Sequence, residues 1–244
     1  MCGLDFKGSV TANLYTSLHS DCGSNWCRSR RRRWIDIVAS GVGLALLLPV
    51  VIAISLGILI GSGRPIFFAQ KRLGRYAREF TLLKFRTMKP SMQGGPGVTQ
   101  DGDARVTRIG RWLRRRKLDE LPQLFNVLKG DMTLIGPRPD LEEFWSQAEA
   151  EDRRALELTP GMTGAASLAF CDEEKLLAQV PRERLTSIYV REILPKKARL
   201  DIEYAERATF RSDCGILLQT VFLPFRDRAH QESGAKELDE HTYR

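Results

Sequence analysis

Histidine is almost missing from this chain: three in 244 residues, His19, His230 and His241, all near the ends. That argues against histidine-based acid–base chemistry, so any nucleophile, acid or base is sought among carboxylates. Cysteine is scarce and scattered. The five, Cys2, Cys22, Cys27, Cys171 and Cys214, include no CxxC pair; this excludes a disulfide framework and an ordinary zinc site, and fits a reducing compartment. Charge is missing from Ile37 to Ile60, 24 residues whose only hydroxyls are Ser40 and Ser55. Acid is missing from Arg105 to Lys117, where seven residues are basic.

What is present follows from those gaps. The net charge of +8 calls for a polyanionic partner: nucleic acid, anionic lipid or a phosphorylated substrate. Arg28 and Arg30 to Arg33 precede the uncharged run. As a straight helix that run would measure about 36 Å, enough to span a hydrocarbon core of about 30 Å. Two features oppose simple spanning. Pro49 lies in the middle, where an interior proline kinks a helix at about 3 kcal/mol. Arg64, Lys71, Arg72, Arg75 and Arg78 follow the run, so both flanks are basic and both ends belong on the cytoplasmic side. A helix broken at Pro49 that enters one leaflet and returns satisfies both. A twin-arginine signal is disfavoured, because the run is long for one and no small-residue cleavage site follows.

The densest signal is Arg105 to Pro139, RVTRIGRWLRRRKLDELPQLFNVLKGDMTLIGPRP. Val106, Ile109, Trp112 and Leu113 recur at spacings of three and four, the apolar face of a helix, with Trp112 in the core. A break is expected near Leu121, before Pro122, and a second helix carries Leu124, Val127 and Leu128 to Gly130. Asp119 and Glu120 then sit at a joint, near the free N–H groups of a helix start. Neighbours one apart do not face the same way, so one carboxylate is free to attack while the other binds metal or shapes the site.

Elsewhere, Ile66–Phe68 and Phe80–Leu83 read as a β-hairpin, and Pro90 to Gly102 as a mobile loop. Leu141 to Leu158 reads as an acidic amphipathic helix, and Ile216 to Phe225 as an apolar tail at the membrane interface.

Several of these strings are similar to the signature of the bacterial sugar transferases, the monotopic phosphoglycosyl transferase family. They are Lys84-Phe85-Arg86-Thr87-Met88, R-V-T-R-I-G, D-E-L-P-Q, N-V-L-K-G-D-M, G-P-R-P, P-G-M-T-G at Pro160 to Gly164, and the closing Leu194-Pro195-Lys196-Lys197 to Tyr204. Ala165-Ala166-Ser167-Leu168 departs from the family's W-A-Q-V-type string, and Leu48-Pro49 from its Ser-Pro.

The resemblance implies a two-step reaction. Asp119 attacks the β-phosphate of a UDP-sugar, releasing UMP, and polyprenol (undecaprenyl) phosphate then takes the phosphosugar. It implies Mg²⁺ at Asp119 and Glu120, with Glu120 binding the ion or assisting proton and phosphate handling. Lys84, Arg86, Arg114 and Arg138 are the expected phosphate-binding cations: Lys84 and Arg86 lie two apart on one strand face, and Arg138 is rigid between two prolines. Surrounding arginines are expected to keep Asp119 ionised.

The expected architecture is mainly α with a small β-hairpin, a re-entrant membrane helix and amphipathic interfacial helices around one cytoplasmic catalytic domain. The expected divisions are a disordered leader at 1–27, the basic flank and re-entrant helix at 28–63, the catalytic domain at 64–225 and a polar tail at 226–244. Partners are the UDP-sugar donor, polyprenol phosphate and membrane lipid at the bacterial inner membrane, with downstream glycosyltransferases able to follow. Two rival classes, a membrane-attached nucleic-acid binder and an inert membrane scaffold, leave Asp119 and Glu120 without a task. Nucleic acid is further disfavoured because aromatic residues do not interleave with the basic ones.

Overall fold

The computed structural model describes residues 22–89, 97–100 and 102–223. The chain is mainly helical with two small two-stranded sheets. It begins with one long apolar helix, α1 (Arg30–Ser62). The Ser29 hydroxyl caps α1 by accepting the Arg32 N–H at 3.2 Å, and Gly63 ends it at φ 72°, a conformation that favours glycine. Pro49 lies inside this helix, which runs continuously from Arg30 to Ser62, so the break expected at Pro49 is not seen.

Both ends of α1 are docked on the rest of the chain. At the first two turns, Arg33 donates to the carbonyls of Val127 (2.6 Å) and Leu128 (2.8 Å). Asp36 accepts from the Thr133 hydroxyl (2.6 Å) and the Leu134 N–H (3.2 Å). Near the other end, Ile54 and Ile58 bury against Phe85 and Leu113. The remaining face is apolar and open: Trp34, Val38, Val42, Leu46, Ile52, Leu56 and Ile60 are exposed.

The expected hairpin is present, with longer strands. β1 (Phe67–Leu73) pairs antiparallel with β2 (Glu79–Phe85), Phe68 opposite Lys84 and Arg72 opposite Phe80. Because side chains alternate across a strand, Arg72 and Lys84 share one face.

The apolar spacing gives α2 (Arg108–Arg115), capped by Thr107 accepting from the Gly110 N–H at 2.9 Å. Leu113 is fully buried, but Trp112 is 46% exposed, with the Arg116 guanidinium 4.8 Å over its ring. The core assignment of Trp112 is thus corrected: a helix this short buries Leu113, while the indole lies outside under an arginine.

A 3-10 turn (Leu118–Glu120) and α3 (Gln123–Lys129) follow. β3 (Thr133–Ile135) pairs in parallel with β4 (Gly161–Thr163). The expected helix over 141–158 is broken into α4 (Glu142–Trp145) and a 3-10 stretch (Asp152–Glu157). Phe144, Trp145, Ala155 and Leu156, from the two stretches, all bury in the same core. Then come α5 (Ala165–Ala169), α6 (Glu173–Leu176), α7 (Leu185–Ile188), a π-helical turn (Tyr189–Ile193), α8 (Leu194–Arg207) and α9 (Phe210–Phe222).

The leader boundary also moves. Residues 22–27 are packed: Cys22 is buried, the Ser24 N–H donates to the Ala205 carbonyl at 2.8 Å, and the Trp26 indole N–H donates to Asp213 at 2.8 Å. An indole and a cysteine supply the burial that a disordered segment lacks. Residues 1–21 and 224–244, most of the expected leader and tail, lie outside the described residues, as do 90–96 and 101 of the expected loop. Of that loop's described part, Val98 is buried and the Gln100 amide donates to the carbonyls of Leu177 (2.7 Å) and Val180 (2.6 Å).

Candidate active site

Three elements deliver the candidate side chains. β2 carries Lys84, the turn after α2 carries Asp119 and Glu120, and the chain leaving β3 carries Arg138. The hairpin is fixed to α3 by Asn126, whose side-chain amide accepts from the Leu83 N–H (3.1 Å) and donates to the Thr81 carbonyl (2.8 Å). Asn126 thus serves as an extra rung beside β2, and it sits three residues after the start of α3. The turn carrying Arg138 is pinned from behind by glycine contacts. A Cβ on Gly161 would lie 2.1 Å from the Gly136 nitrogen, so backbones that approach this closely exclude any side chain there.

Lys117, at φ 55°, turns the chain left-handed just before the acid pair, a conformation uncommon for a non-glycine residue. Asp119 and Glu120 are both buried, 6% and 8% exposed. They do not use the N–H groups of α3. Those of Leu124 and Phe125 donate to the carbonyls of Leu121 and Pro122, so consecutive tight turns consume the donors expected for the carboxylates.

Cations take their place. Glu120 Oε1 accepts from Arg138 Nη2 at 2.6 Å and from Lys84 Nζ at 3.3 Å. Burial opposes ionisation of Glu120, yet Arg138 and Lys84 hold its carboxyl well below the usual carboxylate range. Glu120 in turn holds the Arg138 guanidinium above the ordinary arginine value. Lys84 is pulled down to about 8, first by burial and then by Arg138, against the opposing pull of Glu120 and Asp119.

Asp119 differs from its neighbour. Burial first, and the Glu120 charge second, push its carboxyl above the ordinary aspartate range, while Lys84, Arg114 and Lys117 pull it back. The expectation that surrounding arginines keep Asp119 ionised is therefore corrected in direction: burial outweighs them and raises the carboxyl. Among the described residues no group hydrogen-bonds its carboxyl, so it lies among cations with no fixed partner.

Lys84, Arg138 and the dyad are brought together as the sequence suggested. Arg114 stands one step back, its Nε on the Thr87 hydroxyl (3.0 Å) and its Nη1 on Glu174 (3.0 Å). Arg86 goes elsewhere. It is buried, and its guanidinium donates to the carbonyls of Ser62 (2.7 Å), Gly63 (2.7 Å) and Arg64 (2.8 Å). β2 ends at Phe85, so strand alternation no longer governs residue 86, and Arg86 binds the open carbonyls at the end of α1.

Sequence reasoning missed a second cluster next to this one. Asp140 accepts from Arg72 at 3.4 Å and from the Tyr189 hydroxyl at 2.7 Å. Lys197 donates to that hydroxyl at 3.1 Å and to Glu173 at 2.8 Å. The strand alternation that puts Arg72 beside Lys84 was a usable signal. Nothing local marked Tyr189, which reaches Asp140 across 49 residues.

A divalent cation has little protein to bind here. Among the described residues no group of three or more histidine, cysteine, aspartate or glutamate side chains converges. The dyad alone suits Mg²⁺, which often takes one or two carboxylates and completes its shell with water and substrate phosphate. The Asp119 carboxylate, with no hydrogen-bond partner, fits that use; Glu120 Oε1 is already engaged by two cations.

A family model described as bacterial sugar transferase matches residues 27–227. A UDP-glucose:undecaprenyl-phosphate glucose-1-phosphate transferase of Caulobacter vibrioides is 38% identical over 196 residues, covering 78% of this chain and 68% of the relative. A protein of the same name from Escherichia coli is 34% identical over 209 residues, covering 81% of this chain and 41% of the relative. A UDP-N-acetylgalactosamine-undecaprenyl-phosphate N-acetylgalactosaminephosphotransferase of Aeromonas hydrophila is 46% identical over 121 residues, covering 49% of this chain and 29% of the relative. The chain thus matches between 29% and 68% of the length of these relatives.

Proposed function

Because the chain belongs to the bacterial sugar transferase family, we propose that it transfers a sugar 1-phosphate from a UDP-sugar to undecaprenyl phosphate, releasing UMP. The observation that carries this reading is the unequal dyad. One carboxylate is held by two cations, and the other lies beside it with no hydrogen-bond partner among the described residues. A carboxylate poised in that way is a competent nucleophile.

In the first step an Asp119 oxygen attacks the β-phosphorus. The bond from that phosphorus to the bridging oxygen breaks, and UMP leaves with the electron pair. In the second step a phosphate oxygen of the polyprenol attacks the same phosphorus, and Asp119 leaves as the carboxylate. Lys84, Arg138 and Arg114 offset the charge that gathers on the phosphoryl oxygens. Glu120 holds Lys84 and Arg138 at the dyad. Mg²⁺, held by the dyad, would supply further charge neutralisation at the diphosphate. Arg86 is left out of the phosphate set, since its terminal nitrogens donate to the carbonyls of Ser62, Gly63 and Arg64.

The anchor suits a soluble donor and a lipid acceptor. Both ends of α1 dock on the same domain, and its middle is apolar and exposed. A helix with both ends on one domain supports re-entry into one leaflet, with the domain on the cytoplasmic face of the inner membrane and the exposed α9 residues Leu218, Val221 and Phe222 at the interface. Labelling of cysteines placed at 28 and 64 in intact cells tests this: protection of both is expected, and labelling of only one would refute re-entry.

The deciding experiment is UMP release from a panel of UDP-sugars with Mg²⁺ and undecaprenyl phosphate, for wild type and Asp119→Asn. Release by the wild type alone is the expected result. Equal release by Asp119→Asn would sink the nucleophile assignment.

A further inference from the structure

We propose that Asp140, Tyr189, Lys197 and Glu173 form a brace that fixes Arg138 and Arg114 relative to one another, with Tyr189 as a positioning residue for the donor diphosphate. The chain of contacts is continuous. Asp140 lies two residues after Arg138, and its backbone carbonyl accepts from the Leu73 N–H at 3.1 Å. Its side chain holds Tyr189, Tyr189 holds Lys197, and Lys197 holds Glu173. The next residue of α6, Glu174, holds Arg114. One end of the brace is therefore a cation on Glu120, and the other is a cation acting on Asp119.

A packing role alone does not account for this composition. Tyr189 is 2% exposed and Lys197 is 5% exposed. Desolvating charges costs several kcal/mol per ion, and apolar residues of similar volume often serve stability as well or better. Phe144 already packs against the Tyr189 ring, with centroids 4.9 Å apart, so the ring needs no hydroxyl to be held. What the hydroxyl adds is direction. It donates to a carboxylate at 2.7 Å and accepts from an ammonium at 3.1 Å, which sets the Asp140 side of the arginine turn against α8. Two cations placed for a diphosphate must keep their separation, because misplacement by about 1 Å is costly.

This inference rests on the donor-phosphate reading above, and the test separates the two. The full chain in nanodiscs is titrated with UDP, and UMP release is measured against donor and against undecaprenyl phosphate. Tyr189→Phe is expected to weaken UDP binding and raise the donor KM by about tenfold, the scale of one buried hydrogen bond. kcat and the acceptor KM are expected to stay near wild type, a split that general loosening of the fold would not give. Asp140→Asn is expected to act in the same direction, and decides the matter should Tyr189→Phe fail to fold. Folded variants with wild-type UDP affinity, or with both KM values raised equally, would overturn the brace. A wild type that does not bind UDP would instead overturn the donor reading itself.

Discussion

Two polar clusters lie side by side in this protein, and they differ in completeness. Around Tyr189 the hydroxyl, the Asp140 carboxylate and the Lys197 ammonium each have partners, and only the Arg72 Nε is left without one. Around the dyad, Glu120 is matched by two cations while the Asp119 carboxylate beside it has no hydrogen-bond partner among the described residues. A matched buried cluster fixes geometry, since breaking it strands a desolvated group. An unmatched anion among cations is available to react. Variants in the first cluster should therefore change stability and donor affinity, and variants in the second should change turnover.

The largest effect is expected at Asp119. Asp119→Asn should lower UMP release by about 10³-fold or more, as loss of a nucleophile does. The sign for stability is opposite. A carboxyl whose folded pKa is raised contributes stability below its unfolded pKa and loses it as pH rises through the folded one. Burial and the Glu120 charge disfavour the carboxylate form of Asp119 in the folded state, so Asp119→Asn should melt at the wild-type temperature or above it. A melting temperature that drops together with activity would show that Asp119 belongs to the matched kind of cluster.

Arg138→Ala comes next. It removes the shorter of the two contacts to Glu120 and a donor to the diphosphate. The donor KM should rise by about 30-fold or more, the scale of a lost buried charge pair, with a smaller change in kcat. An unchanged donor KM would detach Arg138 from phosphate.

Arg86 tests a group whose terminal nitrogens are matched to backbone carbonyls rather than to the dyad, with only its Nε left without a partner. Arg86→Met leaves three carbonyls at the end of α1 without their donor, at about 2 to 4 kcal/mol. The expected result is a lower melting temperature in nanodiscs with a near-normal donor KM. A raised donor KM in a stable Arg86→Met protein would return Arg86 to the phosphate set.

These expectations also show what the sequence could and could not disclose. The hairpin, α2, the joint carrying the dyad and the long apolar helix were all legible, because each rests on local periodicity or on a proline or glycine. Lys84, Asp119, Glu120 and Arg138 were legible as a group through the strings that hold them. Arg86 was misplaced because alternation was carried one residue past the end of β2, where the carbonyls of α1 competed for its guanidinium. Trp112 was misplaced because periodicity names a face and does not say how wide the buried stripe is. The Tyr189 brace was invisible, since its contacts join residues 49, 8 and 24 positions apart, and no local pattern links them.

The smallest effect expected is on pH dependence, and it is assigned to Lys84. Burial and Arg138 lower its ammonium to about 8, so the free enzyme loses a cation near the dyad as pH rises through that value. The kcat/KM profile, which reports the free enzyme, should therefore fall above about pH 8. The donor diphosphate brings negative charge, which favours the protonated lysine, so the kcat profile should fall only at higher pH. Stability should not follow activity: between about 8 and the unfolded lysine value the unfolded chain binds more protons, and that group's linkage favours the native state as pH rises. Lys84→Arg keeps the charge throughout and should remove the alkaline fall. Were the fall to persist unchanged in that variant, Lys84 would be only a structural partner of Glu120, and the boundary between the two clusters would have to be moved to include it in the matched one.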